Sequence, residues 1–456
     1  MEDQNLALRK ERAVPERVFR PYRPVLESMA RVDAMSLLGW LLFIVATLAF
    51  WTQLQPFRSL QDFSAVQDAI QSNDLRKYTT LMISALVVAF LCADGKKGHV
   101  IDLAKVPVIL AVLGWSALTS LVSANPSLAL NRLVLAAITV QVGYAVPLLF
   151  RDITSFTQAL GLCATVVITA SYLGVLFVPD LSMHTIRDVT EQTLAGNWRG
   201  IFGHKNDLSA MAALFIFLGV LLSRTTSPLW GIAMVASSVG LLIMSEGKTS
   251  ILITVPSLFG GMLLVWLRSR ALSAILAYGL IILMVFFTLG GVLAPSLAGF
   301  FKSVLPDPTF TGRTDAWEIA IEAISRAPIF GYGYMIFWDL GMAYGVTSAS
   351  SLPTTFSHAH NGFLDVFLSG GLLGLVLVII WTVVLPFRQM RKIKAQMNSR
   401  AERAFLVFLT NIWLFGLMNA SLEAILFNRS NPIWYTFLVA IGCLHAWSKA
   451  IGERHE

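Results

Sequence analysis

The chain has 456 residues, of which 56% are apolar and 13% are Asp, Glu, Lys or Arg, whereas a soluble domain carries about 25% charged residues. That composition excludes a soluble globular enzyme, a disordered chain, a coiled coil and a disulfide scaffold, and it points to one all-α, polytopic membrane helix bundle. The excess of 34 basic over 27 acidic residues gives a net charge of +7, which in a membrane protein records topology before it records a ligand.

Residues 1–36 are polar and Arg-rich, contain Pro15, Pro21 and Pro24, and read as a cytoplasmic tail. No cleavable signal peptide is expected, because the first apolar run is long and lies well inside the chain. Twelve apolar runs of roughly bilayer length follow at 37–54, 79–92, 106–123, 132–150, 154–178, 207–223, 229–244, 249–267, 271–293, 361–385, 405–420 and 433–450. About twelve transmembrane helices are therefore expected: nine within 37–293, then a large outer loop at 294–360, then three within 361–450, with 451–456 as a second cytoplasmic end. With the N-terminus inside, the inner segments hold 22 of the 34 basic and 12 of the 27 acidic residues, leaving 12 and 15 outside. The densest basic cluster (Arg388, Arg391, Lys392, Lys394, Arg400, Arg403) falls in one inner loop, so both termini are expected in the cytoplasm. The +7 is thus a property of the inner face alone. Cys92, Cys163 and Cys443 are far apart and show no ligand spacing, which suggests neither a disulfide framework nor a zinc site.

The 294–360 loop predicts its own amphipathic helix. Asp315 can cap it, with Glu318 three residues on in a capping-box pattern. Trp317, Ala320, Ile321 and Ile324 follow at helical spacing, and Pro328 and Gly331 end it. Such a helix would lie on or dip into the outer membrane surface.

Four constellations carry candidate chemistry. Arg199-Gly-Ile-Phe-Gly-His204-Lys205-Asn206 precedes the sixth span. Two cations at the outer start of a helix capped by Asn206 or Asp207 suit an anion site, and equally suit interfacial anchoring to headgroups, which loop charge alone favours. Thr311-Gly-Arg313-Thr314-Asp315 again sets a cation at a helix start, with an exposed loop arginine as the plain alternative. Ser357-His358-Ala-His360-Asn361 opens the tenth span. His360 falls at the outer boundary, where a neutral imidazole can act as a base or simply make a hydrogen bond. Ser245-Glu-Gly-Lys248-Thr-Ser250 resembles the end of a phosphate loop, but Leu242 stands where glycine is required, so nucleotide binding is rejected. Lys248 remains an outer cation at a helix start, and Gly370–Gly374 is a small-residue pattern for helix packing. No acidic-x-acidic pair occurs, which weakens metal-assisted sugar-nucleotide chemistry. A twelve-span transporter is the competing class. Transporters keep ionisable residues near the midplane, whereas here the charges avoid span centres and crowd the outer ends.

Arg199–Asp207 (RGIFGHKND), Thr311–Tyr334 (TGRTDAWEIAIEAISRAPIFGYGY) and His360-Asn361 followed after nine residues by Gly371-Leu-Leu-Gly374 together resemble the O-antigen ligase and Wzy-type polymerase superfamily. The first block is particularly similar to exopolysaccharide polymerases of the ExoQ type. The resemblance covers spans six to ten and the outer loop. It implies a GT-C-like, inverting glycosyltransferase of the bacterial inner membrane with its active site on the periplasmic face. The implied donor is a glycan on undecaprenyl diphosphate and the acceptor a sugar hydroxyl. No metal, cofactor, nucleotide or nucleic acid is implied; a flippase and a chain-length regulator are implied as partners. The family's catalytic histidine falls on His360, and its outer-loop arginines fall on Arg199 and Arg313. Lys205 is a further cation, Lys248 stands where relatives often have arginine, and His204, Asn206, His358 and Asn361 complete the expected substrate site. The ExoQ-like block favours a polymerase over a ligase.

Overall fold

The computed structural model describes residues 34–62, 74–189, 191–304, 310, 312–340, 356–428 and 431–453; the N-terminal tail and residues 341–355 lie outside the described residues. The described chain is helical apart from turns and one isolated antiparallel bridge between Met183 and Trp198. In order, the helices of ten or more residues are α1 (Ala34–Trp51), α2 (Asp74–Ala93), α3 (Pro107–Leu121), α4 (Pro126–Ala145), α5 (Ile153–Phe177), α6 (Lys205–Thr225), α7 (Pro228–Met244), α8 (Lys248–Trp266), α9 (Arg270–Leu293), α10 (Arg313–Arg326), α11 (Gly362–Ile379), α12 (Leu385–Lys394), α13 (Arg400–Ala420) and α14 (Pro432–Gly452). Each of the twelve expected apolar runs coincides with a helix or, for the tenth, with α11 and α12 joined by a π turn at Ile380–Val384. Among the described residues nine helices are long and apolar enough to cross a membrane. Helices α3 and α7 are apolar but shorter, and α14, 21 residues long with two tryptophans, is almost wholly buried.

Helix starts follow local chemistry. Asn125 and Asn431, each followed by proline at the first helical position, cap α4 and α14, and Ser399 with Glu402 forms a reciprocal capping box on α13. Side-chain oxygens satisfy N–H groups that the first turn leaves without partners, and proline lacks one to satisfy. Helices α6, α13 and α14 are buried on nearly every face, as expected for helices apolar all round. Helices α2 and α9 instead bury few residues and carry exposed leucines, isoleucines and phenylalanines suited to lipid.

Two expectations about the outer loop are corrected. Helix α10 exists, but it begins at Arg313 with Gly312 in the left-handed conformation as its N-cap and no side-chain cap bond. Asp315 sits in its first turn, so no capping box forms. Its apolar stripe is buried in protein: Trp317, Ile319, Ala320 and Ala323 pack with Leu289 of α9 and with Leu364 and Leu368 of α11. Burial against neighbouring helices takes the place of the expected membrane surface.

The glycine pattern in α11 does more than pack helices. Gly370 and Gly374 do approach Trp115 of α3, but Gly371 breaks the helix, with φ +63° and ψ −165°. The strap after α10 threads into the break. Tyr332 N donates to Leu368 O at 2.7 Å, Gly333 N to Ser369 O at 3.1 Å, and Leu372 N to Pro328 O at 2.8 Å. Trp115 Nε1 donates to Gly370 O at 2.7 Å. Leu368 O, Ser369 O, Gly370 O and Leu372 N, released by the break, therefore have partners, as an apolar surrounding demands. A methyl group at Gly371 would lie 2.0 Å from Ile329 O, in a conformation almost confined to glycine. Gly371→Ala is expected to cost about 3 kcal/mol or more, seen as a lowered melting temperature in detergent; an unchanged melting curve would refute the strap.

Candidate active site

Hydrogen bonds and ion pairs bring together the turn after α1, the segments before α6 and α11, the start of α10 and the loop between α13 and α14. The last of these carries Glu423, onto which the others converge. Asn361 caps α11, accepting from Phe363 N and Leu364 N, and its amide donates to Ser421 O at 3.0 Å. Gly362 N donates to Glu423 O at 3.2 Å. These bonds hold His360 over the loop in a left-handed conformation, φ +48°, which for a non-glycine residue is the kind of strain that collects at functional sites.

His360 Nδ1 faces Glu423 Oε2 at 3.5 Å. Arg313 Nη2 donates to Glu423 Oε1 at 2.6 Å and Nη1 to Leu422 O at 2.5 Å. Asn206 Nδ2 donates to the same Oε1 at 3.0 Å. Burial alone would raise the Glu423 pKa, but Arg313 and His360 outweigh it and hold the carboxyl down at about 2, so it is an anion throughout the working range. A carboxylate facing Nδ1 favours the tautomer with its proton there and leaves Nε2 as acceptor. Nδ1 is enclosed while a third of the His360 side chain is exposed, so the opposite ring edge is the part left accessible. The His358 ring lies edge-on to His360 at 4.1 Å, and its Nδ1 accepts from His360 N at 3.3 Å. Burial, then the neighbouring His360, pushes His358 down to about 3; it is a neutral support.

The start of α6 is organised by two further histidines. His204 is its N-cap: Asn206 N donates to His204 Nδ1 at 3.1 Å, and Lys205 N donates to His184 Nε2 at 3.3 Å. Asp207 N and Leu208 N both turn to His204 O. The expected free N–H groups are therefore occupied, and neither Asn206 nor Asp207 is the cap. His204 Nε2 also bonds Glu191 Oε2 at 2.8 Å, which holds that carboxyl below its ordinary range. His184 is paired with Asp188 at 3.1 Å, and burial, then His204, lowers its pKa to about 4.

The structure thus joins His360, His358, Asn361, Arg313 and Asn206 through Glu423, with His204 alongside. Lys205 Nζ donates to Glu246 O at 3.1 Å, and Lys248 stands exposed at the start of α8. Arg199 differs. It is fully buried and directs its guanidinium at backbone carbonyls of Met183, Phe202 and Arg58, at 3.4, 3.0 and 2.8 Å. It braces the loop before α6 and is not turned to Glu423. Arg199→Ala is expected to destabilise the fold by about 3 kcal/mol, since each buried acceptor loses its donor; an unchanged melting temperature would return this residue to the candidate site. Sequence reading missed Glu423, Glu191, His184, Asp188 and Arg58. Glu423 alone left a trace, as a single acid in a short outer loop between two apolar spans.

The segment from α6 to α11, with Lys248, Arg313, His358, His360 and Asn361, is also where likeness to known proteins concentrates. Residues 210–379 match the O-antigen ligase family. This bears out the resemblance read from the motifs. Over 238 residues the chain is 29% identical to the exopolysaccharide production protein ExoQ of Rhizobium meliloti (strain 1021), covering 47% of this chain and 52% of the relative. The chain spans about half the length of that curated relative. The O-antigen ligase segment ends before Glu423 and begins after Arg199–Asp207, so both the carboxylate hub and the α6 cap come from outside it.

Proposed function

We propose that the protein is an inverting glycosyltransferase of the bacterial inner membrane that joins oligosaccharide repeat units carried on undecaprenyl diphosphate into a surface polysaccharide. The observation that carries this reading is the His360–Glu423–Arg313 constellation inside a chain matching the O-antigen ligase family. His360 Nε2 accepts the proton of an acceptor sugar hydroxyl, whose oxygen attacks the anomeric carbon of the donor from the face opposite the lipid. The bond from that carbon to the phosphate oxygen breaks, and undecaprenyl diphosphate leaves with its electron pair. Glu423 stabilises the imidazolium that forms, and Arg313 fixes Glu423. A diphosphate is a good leaving group, so no strong acid is assigned, and fixing two lipid-anchored substrates in one plane supplies part of the acceleration. Orientation is argued from charge: with 22 of 34 basic residues at the other face, the site lies on the periplasmic side and both termini in the cytoplasm.

The family's description as O-antigen ligase supports a second reading, transfer of the lipid-linked glycan to lipid A core. Product analysis separates the two: longer lipid-linked chains, with single repeat units accumulating when the protein is absent, fit a polymerase, and glycan on lipid A core fits a ligase. A transporter gains little from the break in α11. The backbone groups it releases are satisfied by the chain's own strap, whereas broken transporter helices direct theirs at substrate.

A further inference from the structure

Beside Gly203, next to the His204 cap, lies a cation whose guanidinium none of the contacts above employs. Arg58 follows α1 in a bend where Gln53, Leu54 and Phe57 are left-handed. Phe57 N donates to Ile201 O at 3.2 Å, and Arg58 O accepts from the buried Arg199 at 2.8 Å, so the Arg58 backbone is fixed to the loop that Arg199 braces. Its guanidinium lies against Gly203, where a methyl group would come within 3.3 Å of Nη2 and 3.6 Å of Cζ. Nε is enclosed and has no hydrogen-bond partner. Among the described residues no side chain pairs with the group, and Asp207 acts on it only through space. The neighbouring cations are committed: Arg313 to Glu423 and Leu422 O, Arg199 to three carbonyls, and Lys205 to Glu246 O.

An enclosed Nε–H with no acceptor is costly unless something uses it, and the planar fork of the guanidinium matches the oxygens of a phosphate. We propose that Arg58 is a substrate-binding residue that holds the diphosphate of a lipid-linked substrate, with Gly203 leaving the room its guanidinium needs. This rests on the reading above and adds to it a residue outside the family-matched segment.

The test is binding of inorganic pyrophosphate and of farnesyl diphosphate to the full chain in detergent, followed by calorimetry, alongside melting temperatures without ligand. Arg58→Gln is expected to weaken both probes by about 10- to 100-fold and to leave the melting temperature unchanged or higher, because no protein hydrogen bond is lost. Arg58→Lys recovers only part of the affinity, since a lysine is a point charge without the fork. Gly203→Ala, which crowds Nη2, weakens both probes with Arg58 still in place. Unchanged affinity in Arg58→Gln, a loss confined to farnesyl diphosphate, or no pyrophosphate binding by the wild type would each overturn the assignment. His360→Ala keeps its affinity for both probes but transfers nothing. A wild type that binds diphosphate yet transfers no glycan therefore fails the enzymatic reading alone, and transfer with full diphosphate affinity in Arg58→Gln fails this inference alone.

Discussion

His360→Ala is expected to reduce glycan transfer by about 10²- to 10⁴-fold, the range contributed by a placed general base, while the protein accumulates and melts like the wild type. The expectation of an intact fold comes from the geometry. His360 Nδ1 makes no hydrogen bond in the resting site, the side chain is one-third exposed, and the strained φ of +48° gives the native state no stability that alanine would forfeit. Asn361, which does hold the loop, stays in place. Measured as lengthening of lipid-linked repeat units in membranes, full activity in this variant would remove His360 from the mechanism. His360→Gln separates proton transfer from shape: it preserves a polar side chain but cannot take a proton, so it should be as inactive as alanine.

Arg313→Ala is expected to remove both activity and stability. The ion pair with Glu423 is largely shielded, with side-chain exposures of 14% and 18%, and deleting one partner of such a pair costs about 3–5 kcal/mol because the other charge is left without compensation. The pH dependence has a definite sign. In the wild type the Glu423 pKa is lowered from 4.5 to about 2. Its contribution to stability is therefore fully present above about 4.5 and lost as pH falls towards 2. Without Arg313, burial dominates and lifts the carboxyl, so the variant regains stability as Glu423 takes up a proton. The gap in melting temperature between Arg313→Ala and wild type should be widest near neutrality and narrow as the pH falls towards 5. A gap that is constant with pH would mean that Glu423 is not the partner that matters. In Glu423→Gln the further loss on removing Arg313 should be much smaller than in the wild type, since no buried charge remains to be abandoned.

The membrane bundle was legible because its signal is local and large. Runs such as 271–293 and 361–385 have no other stable home than a buried or lipid-facing helix, and each became one. The histidine and the arginine that meet at Glu423 were legible too, since both open helices in blocks of distinctive sequence. Their common partner was not. Glu423 stands 110 residues from Arg313, in a loop whose composition says only that it is short, and contact across that separation is a property of packing. Arg199 shows the converse failure. A cation beside a helix start reads alike whether its guanidinium faces a ligand or three carbonyls of its own loop, and only burial tells the two apart. The α6 start failed for a related reason: Asn206 and Asp207 are better caps by propensity, yet the histidine rings of His184 and His204 occupy the N–H groups because the preceding loop carries them there. Gly370 and Gly374 were read as small residues for close helix packing, and both do approach Trp115. That Gly371 beside them would also open the helix depends on a strap about forty residues upstream in sequence.

The broken helix has a consequence for how the protein is made. A lone α11 has no cause to break: with Gly371 helical, all its backbone bonds close within the segment, which is the state an isolated helix adopts in lipid. The strap at 328–333 precedes α11 in the chain and leaves the ribosome earlier. The break therefore forms when the strap docks onto a helix that first formed intact, exchanging internal bonds for those with Pro328, Tyr332 and Gly333. Glycine at position 371 thus serves two states: a helix tolerates it while the segment is unbroken, and the final conformation is almost confined to it.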